Sequence, residues 1–160
     1  MLSTACLILA AVLMPVACAS SGPGADPVHV RDETSPLRRA DAVQAALSMV
    51  GAPYRYGGGS PSGFDCSGLV VYSYARAGFA GLPHSAEALE HRVRPITVDD
   101  LEPGDLLFFD LAGKKSAHVA IYVGDREFVH APSPGKRVER VGFDHVYWGP
   151  RIERAGRIAH

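Results

Sequence analysis

The sequence predicts an α+β domain in which helices come first in the chain and an antiparallel β-sheet follows. Two observations support this class. Apolar residues recur at helical spacing up to about residue 90, and short β-like runs divided by turn residues follow. The chain has 160 residues, which fits one domain, since domains usually contain ~100–200 residues.

Three helices are predicted, and the first lies at the start of the domain. Ser35 is a suitable N-cap and Pro36 suits the first helical position. Apolar residues then recur at helical spacing, which predicts a helix over 36–50 that Gly51 can end. The loop that follows, 52–63, is dense in Gly and Pro, so no regular element is expected there.

The second and third helices are predicted from their N-caps. Asp65 can cap a helix that starts at Cys66 and runs to Gly78, and Ser85 can begin a shorter helix that includes Leu89. The remainder of the chain favours strands. The predicted strands are 104–111, 118–123, 127–131 and 137–143, with a candidate last strand within 147–158.

The composition is that of an ordinary globular protein. Hydrophobic residues make up 47% of the chain and charged residues 21%, and the formal net charge is −1. Proteins that bind nucleic acids usually carry a basic excess, so no nucleic-acid partner is expected.

Residues 1–18 form an apolar segment that predicts export from the cytoplasm. Its core, 6–16, has the length of a signal-peptide h-region and is too short to span a bilayer comfortably. The segment resembles a bacterial lipobox ending in Cys18, although Pro15 stands where Leu is usual, so we expect a lipid on Cys18. Two alternatives stay open: cleavage at an A-x-A-like site with simple secretion, and a structural helix. No Lys or Arg precedes the apolar core.

The segment 19–35 is rich in Ser, Gly and Pro, which predicts a flexible tether ahead of a folded domain at 36–160. We therefore expect the protein in the cell envelope, on the periplasmic side of a membrane as a lipoprotein, or secreted. A tether would let an anchored domain reach targets away from the membrane.

Cys66 is the candidate nucleophile. The other two cysteines, Cys6 and Cys18, lie in the apolar segment, so removal or lipidation of that segment leaves Cys66 as the domain's one thiol. A thiol at a helix N-terminus has a lowered pKa, and the free N–H groups there can hold an oxyanion. The charge of Asp65 opposes this effect. The alternative is a small buried hydrophobic residue.

Two of the seven histidines are candidates for the general base. His118 opens one predicted strand and His130 ends the next. If Val123 pairs with Glu127 across the three-residue loop 124–126, both histidines lie on one face as diagonal neighbours, about 7–8 Å apart at Cα. His118 would then be the base and His130 its orienting partner. A two-residue turn would put them on opposite faces.

Four motifs stand in order along the chain. They are Tyr-Arg-Tyr-Gly-Gly…Phe-Asp-Cys-Ser-Gly-Leu-Val within 54–70, Leu-Glu-Pro-Gly-Asp-Leu-Leu-Phe-Phe at 101–109, His-Val-Ala-Ile-Tyr-Val-Gly at 118–124 and Phe-Val-His-Ala-Pro at 128–132. Together they resemble the motifs of the NlpC-type cell-wall peptidases, which are papain-like cysteine peptidases of bacteria. The resemblance covers roughly 38–150 and implies a papain-like fold, with N-terminal helices packed on a central antiparallel sheet.

The resemblance implies a role for each matching residue. Cys66 matches the nucleophile, His118 the base and His130 the orienting residue. Tyr54 matches a tyrosine whose hydroxyl lies beside the thiol, or it is only a packing aromatic. Asp65 and Ser67 match positions that contact substrate in some members, or they serve only as a helix cap and a first-turn residue. The segment that contains His84 departs from the family's Arg-Thr-Ser-like pattern, which puts local substrate contacts in doubt.

The family implies hydrolysis of amide bonds in peptidoglycan stem peptides, commonly between D-glutamate and diaminopimelate. Stem peptides are therefore the expected substrate, and neither a cofactor nor a metal is expected, because Cys66, His118 and His130 already have roles. The alternatives are another amide or acyl hydrolase of the same fold, such as an amidase or an exported antibacterial effector, and a non-catalytic cell-wall-binding lipoprotein. The oligomeric state stays open.

Overall fold

A computed structural model describes residues 34–158 of the chain. The predicted signal segment at 1–18, the lipidation site Cys18 and nearly all of the tether at 19–35 lie outside these residues, so the domain boundaries stay predictions. Within 34–158, none of the helices combines the length and the apolar character that a membrane crossing requires.

The structure contains the three predicted helices with shifted ends. They are α1 at Thr34–Leu47, α2 at Cys66–Arg76 and α3 at Ala86–Glu90. The first helix starts earlier than predicted. It also ends earlier, because the amides of Met49 and Val50 bond to carbonyls three residues back and close a tight turn before Gly51. Short 3₁₀ turns lie at Val98–Asp100 and Gly149–Arg151.

Residues 34–158 contain eight strands, and six of them form the main sheet. The strands are β1 at Gly59–Ser60, β2 at Gly63–Phe64, β3 at Val93–Ile96, β4 at Leu106–Leu111, β5 at Lys114–Gly124, β6 at Glu127–His130, β7 at Glu139–Gly142 and β8 at Ile152–Ile158. The main sheet has the order β3-β8-β4-β5-β6-β7 and every pair is antiparallel. The predicted α+β class, with helices before an antiparallel sheet, is confirmed.

Three short strands were not predicted from the sequence. The first two form a small separate hairpin inside the Gly-rich loop. The third, β3, contains Pro95 and pairs with β8 at the edge of the main sheet. A proline lacks the N–H group that a central strand needs for pairing, so it is tolerated mainly at an edge of a sheet. Because proline is unfavourable in strands, its presence argued against a strand prediction here.

Two hydrophobic clusters pack on opposite faces of the sheet, because successive side chains of a strand alternate between faces. The helices cover one face, where Leu69 and Tyr74 of α2 belong to the same cluster as Val119 of β5. The second cluster contains Phe109, Ala120, Phe128 and Trp148. The thiol of Cys66 packs against the first cluster, whereas the candidate histidines contact aromatic rings of the second.

Candidate active site

Asp65 positions Cys66 at the first turn of α2. The backbone of Asp65 is extended, and its Oδ1 accepts a hydrogen bond of 2.7 Å from the Gly68 amide, which confirms the predicted N-cap. Its other oxygen accepts from the Gly57 amide at 2.9 Å, which ties the Gly-rich loop to the helix. The same carboxylate contacts the hydroxyl of Ser67 at 3.1 Å and Nε2 of His84 at 2.8 Å.

Asp65 and Ser67, which the sequence predicts as possible substrate contacts, both form hydrogen bonds within the helix cap. Ser67 is only 5% exposed and donates to Asp65, so its hydroxyl is used inside the cap. Both residues nevertheless line the cleft described below. Contact with substrate stays a prediction for each of them. His84, which contacts Asp65, also lines the cleft.

The Gly-rich loop approaches α2 so closely that one position requires glycine. A Cβ on Gly68 would lie 1.9 Å from the carbonyl oxygen of Gly58 and 2.8 Å from Nε2 of His84. The same Gly58 oxygen accepts the Asp65 amide at 3.0 Å. Loop and helix are therefore held together just where the thiol begins the helix.

The thiol of Cys66 is half-buried, and its pKa overturns one expectation. Burial raises the pKa of Cys66, and this effect exceeds the lowering by the backbone N–H of Val119. The charge of Asp65 raises the pKa further, and the N–H groups of Ser67 and Cys66 lower it. The pKa is raised overall, so the predicted lowering is wrong for the resting protein, because desolvation outweighs the helix terminus.

Tyr54 lines the same cleft as Cys66, and the role that the resemblance implies for its hydroxyl stays a prediction. Its amide donates to the carbonyl of Lys136 at 2.9 Å, and its backbone bridges Phe64 just before the cap. Burial is the main reason why the pKa of Tyr54 is raised, and the neighbouring Cys66 and Asp65 raise it further. The phenol therefore keeps its proton at neutral pH and can donate a hydrogen bond.

His118 and His130 form a buried hydrogen-bonded pair. Nε2 of His118 lies 2.8 Å from Nδ1 of His130, and the two side chains belong to residues that are 3% and 0% exposed. Trp148 encloses them, since its ring stacks on His118 at 4.9 Å and meets His130 edge-on at 4.5 Å. Nε2 of His130 lies 3.3 Å from Oε1 of Glu139.

The register that aligns the histidines is reached by a different route from the predicted one. Tyr122 pairs with Phe128, as predicted, but Gly124 rather than Val123 pairs with Glu127. The turn therefore has two residues, 125 and 126, both with positive φ as a type I′ turn requires. Val123 is an extra residue in a β-bulge, and it restores the register that the short turn would have shifted. The predicted three-residue loop is wrong, but the shared face is correct.

Burial keeps both imidazoles neutral. It lowers the pKa of His118 to about 4. It also lowers the pKa of His130, with smaller contributions from the nearby His118 and His145. At pH 7 each ring therefore carries one proton, and His118 can accept another.

An open cleft of about 850 Å³ gives access to the thiol. It reaches Ser116 and Ala117, the residues directly before His118. No hydrogen bond joins Cys66 and His118 among residues 34–158, although the thiol lies against the amide of the next residue, Val119. The cleft is lined by Tyr54, Tyr56, Gly57, Asp65, Cys66, Ser67, His84, Ser85, Ala86, Glu87, Lys114, Lys115, Ser116 and Ala117.

Two residues of the site were missed at the level of sequence. Trp148 is the chain's one tryptophan, and Glu139 lies in a predicted strand. Neither could be placed against the histidines without knowing that β7 pairs with β6 or where the loop before β8 folds. Within the described range, no group of three or more His, Cys, Asp or Glu residues is arranged to hold a metal ion.

The fold and the site define a papain-like α+β domain with a cysteine at a capped helix terminus and a buried histidine pair. The model of the NlpC/P60 family matches residues 51–157, and the chain belongs to that family. Probable endopeptidase NlpC of Escherichia coli is 37% identical over 154 residues, which is 96% of this chain and 98% of that protein.

Other matches are to parts of longer proteins. Probable endopeptidase Rv2190c of Mycobacterium tuberculosis is 48% identical over 106 residues, which is 66% of this chain but only 26% of that protein. The chain therefore matches about a quarter of the length of this relative. A crystal structure of a lipoprotein-like NLP/P60 family protein from Staphylococcus aureus is 34% identical with a TM-score of 0.69, covering 78% of this chain and 42% of that one.

Proposed function

We propose that this chain is a peptidoglycan endopeptidase that uses Cys66 as nucleophile, His118 as general base and His130 as orienting residue. The observation that carries the proposal is the buried 2.8 Å hydrogen bond between the two imidazoles, one residue along the strand from the amide that contacts the thiol. Membership of the NlpC/P60 family and the endopeptidase names of its relatives support the same activity.

The reaction follows the logic of acyl transfer. Cys66 gives its proton to His118, and the sulfur attacks the scissile carbonyl carbon. The oxyanion is received by the N–H groups at the start of α2 and by the hydroxyl of Tyr54. The intermediate collapses, the C–N bond breaks, and the amine leaves with the proton from His118. Water then gives a proton to His118 and attacks the thioester. The C–S bond breaks, the sulfur of Cys66 takes back the proton from His118, and the acid is released.

A resting neutral thiol suits this scheme. Burial raises the pKa of Cys66 and lowers the pKa of His118, so both groups are uncharged before substrate arrives. Proton transfer then accompanies attack instead of preceding it. Hydrogen bonds between catalytic groups often form fully only when substrate is bound, so the bond between thiol and imidazole is expected to form in the complex.

For the substrate, we propose the bond between D-glutamate and diaminopimelate, so that the chain is a D,L-endopeptidase. Stem peptides are extended and carry free carboxylates, and the open cleft has Lys114 and Lys115 on its lining to receive such groups. An amidase or other hydrolase of the same fold would cut elsewhere in the same polymer, so product analysis separates these activities.

The test is digestion of purified peptidoglycan by the wild type and by Cys66→Ala, with products identified by mass. We expect the wild type to release fragments with a new amino-terminal diaminopimelate, and the variant to lose at least about a thousandfold in rate. A Cys18→Ala variant is the matched control and should digest normally. Equal release by wild type and Cys66→Ala would exclude Cys66 as nucleophile, and cleavage at another bond would correct the substrate.

We also propose that the protein is an envelope lipoprotein anchored through Cys18. The proposal rests on the lipobox-like segment at 1–18. Stable anchoring requires more than one acyl chain, and a lipidated N-terminal cysteine carries several. Fatty-acid labelling should be lost in Cys18→Ala and retained in Cys66→Ala. Labelling that persists in Cys18→Ala would overturn the anchor.

A further inference from the structure

A carboxylate lies directly behind the histidine pair. Glu139 of β7 is the cross-strand partner of His130 of β6, so their side chains stand on the same face of the sheet. Oε1 of Glu139 lies 3.3 Å from Nε2 of His130, whose Nδ1 lies 2.8 Å from Nε2 of His118. The three side chains therefore form a continuous row of hydrogen bonds from the solvent to the base.

The two ends of this row differ in exposure. The His130 side chain is fully buried, whereas the side chain of Glu139 is 47% exposed. A carboxylate in contact with water keeps its hydration and avoids the large cost of burying a charge. As an ionised group it can only accept hydrogen bonds. Its position therefore restricts where the proton of His130 can reside.

Which ring nitrogen carries the proton in each histidine, called the proton pattern below, follows from counting the hydrogen-bond donors. A neutral imidazole has one N–H. Because Glu139 must accept, the N–H of His130 is at Nε2 and its Nδ1 is an acceptor. His118 must then donate from Nε2, which leaves Nδ1 of His118 with a free lone pair. This is the nitrogen that remains to take a proton from Cys66.

We propose that Glu139 is a positioning residue that sets the proton pattern of the His118–His130 pair and so makes Nδ1 of His118 the basic nitrogen. The inference rests on the proposed function, in which His118 accepts the proton of Cys66. Glu139 touches neither substrate nor thiol and acts through His130.

The same carboxylate stabilises the charge that appears during the reaction. When His118 becomes an imidazolium, its Nε2–H bond to His130 strengthens and the positive charge is drawn toward Glu139. The other titratable group facing His130 is His145, and Trp148 closes the apolar side. Glu139 is the carboxylate within hydrogen-bonding distance of His130, so it is the group here that favours the imidazolium.

Nuclear magnetic resonance tests the proton pattern without any substrate. Long-range ¹⁵N–¹H spectra of the labelled protein at pH 7 should show the proton on Nε2 in both His118 and His130. In Glu139→Leu we expect His130 to populate the other tautomer. Glu139→Gln keeps an acceptor oxygen and should keep the wild-type pattern. Glu153→Leu, which removes an exposed glutamate from β8, is the matched control.

Kinetics on peptidoglycan test the consequence. Glu139→Leu should lower kcat about tenfold, as expected for one lost hydrogen bond to a charged group, with a smaller change in KM. The acid limb of the pH–rate profile should move about half a pH unit lower, because the carboxylate no longer stabilises the imidazolium. A merely structural role would lower stability and leave this limb in place. Glu139→Gln should recover most of kcat without restoring the limb.

The outcomes distinguish the proposed role of Glu139 from the proposed peptidase activity. A wild-type proton on Nδ1 of His130, or spectra of Glu139→Leu identical to those of wild type, would overturn the role of Glu139. Expected spectra from a protein that does not digest peptidoglycan would uphold the proton pattern and overturn the proposed peptidase. An unshifted acid limb with a changed tautomer would limit Glu139 to orientation and remove its charge effect.

Discussion

The region around the thiol and the region around the histidines are held in place by different means, and only the first lines the open cleft, whose lining ends at Ala117. The first lies within residues 54–68, and a single carboxylate, that of Asp65, caps the helix and ties down the loop. The second draws on β5, β6 and β7 and on Trp148 from a separate loop. The first depends on short-range hydrogen bonds, whereas the second depends on strand register and burial.

This difference predicts how substitutions in each region affect stability and activity. A single substitution in the thiol region removes a single short-range hydrogen bond or backbone contact. Its effect on the structure should therefore be local. The histidine region is held by packing between distant segments, so one large truncation should alter stability, pKa values and activity together. The following predictions separate the two, beginning with the largest effect.

Truncation of Trp148 should disrupt the histidine region most. Trp148→Ala removes a ring that contacts both imidazoles, and we expect a loss of about 4 kcal/mol in the free energy of unfolding. Water would reach the pair, the pKa of His118 would rise toward its usual value, and the acid limb of activity would move to higher pH. Urea unfolding and a pH–rate profile measure both. Trp148→Phe, which keeps an aromatic ring, should retain most of each property.

Substitution of Gly68 should disrupt the thiol region. In Gly68→Ala the new Cβ would meet the Gly58 carbonyl oxygen at 1.9 Å, so the loop must move away from the helix. We expect a cost of about 3 kcal/mol in unfolding free energy and a strong loss of activity. Gly59→Ala is the matched control, because its Cβ would meet nothing closer than 3.8 Å. A folded, fully active Gly68→Ala would show that this close approach is dispensable.

Acid should weaken the fold through the buried imidazoles. The pKa of His118 is about 4 in the folded protein and about 6.5 unfolded, so the unfolded chain binds more protons between these values. The stability of this neutral ring is fully present above pH 6.5 and falls as the pH is lowered toward 4. From pH 7 to pH 5, His118 alone should cost about 2 kcal/mol. Urea titrations of wild type and His118→Gln should show a smaller decline in the variant.

Deletion of Val123 should change the histidine region least. The remaining residues can form an ordinary two-residue hairpin in which Tyr122 still pairs with Phe128. We expect the histidine hydrogen bond and the activity to persist, with a loss of about 1 kcal/mol from the half-buried valine. Imidazole ¹⁵N spectra and peptidoglycan digestion check this. If the deletion abolishes activity, the bulge itself has a role that register alone does not explain.

The thiol region was largely predictable from sequence. An aspartate before the cysteine, a glycine-rich stretch before both, and apolar residues at helical spacing after them indicate a capped helix with the thiol in its first turn. The pKa of Cys66 was not predictable in the same way. Its direction depends on how deeply the thiol is buried, and burial is a property of the packed domain.

The histidine region was predictable in part. Strand alternation selected His118 and His130 from seven histidines, and the expected shared face is present. The turn was predicted wrongly, because a bulge and a two-residue turn give the same register as a three-residue loop, and the sequence does not distinguish them. The partnership of Glu139 and Trp148 with the pair required the order of strands in the sheet.

Neighbouring residues were thus sufficient to specify the helices, most strands, the cap at Asp65 and the position of the candidate nucleophile in the first turn of its helix, because these depend on interactions between residues close in the chain. The protonation states of Cys66, His118 and His130 and the row that ends at Glu139 were decided only by tertiary structure. The physical reason is desolvation: whether a charged form is tolerated depends on which distant side chains exclude water from the group.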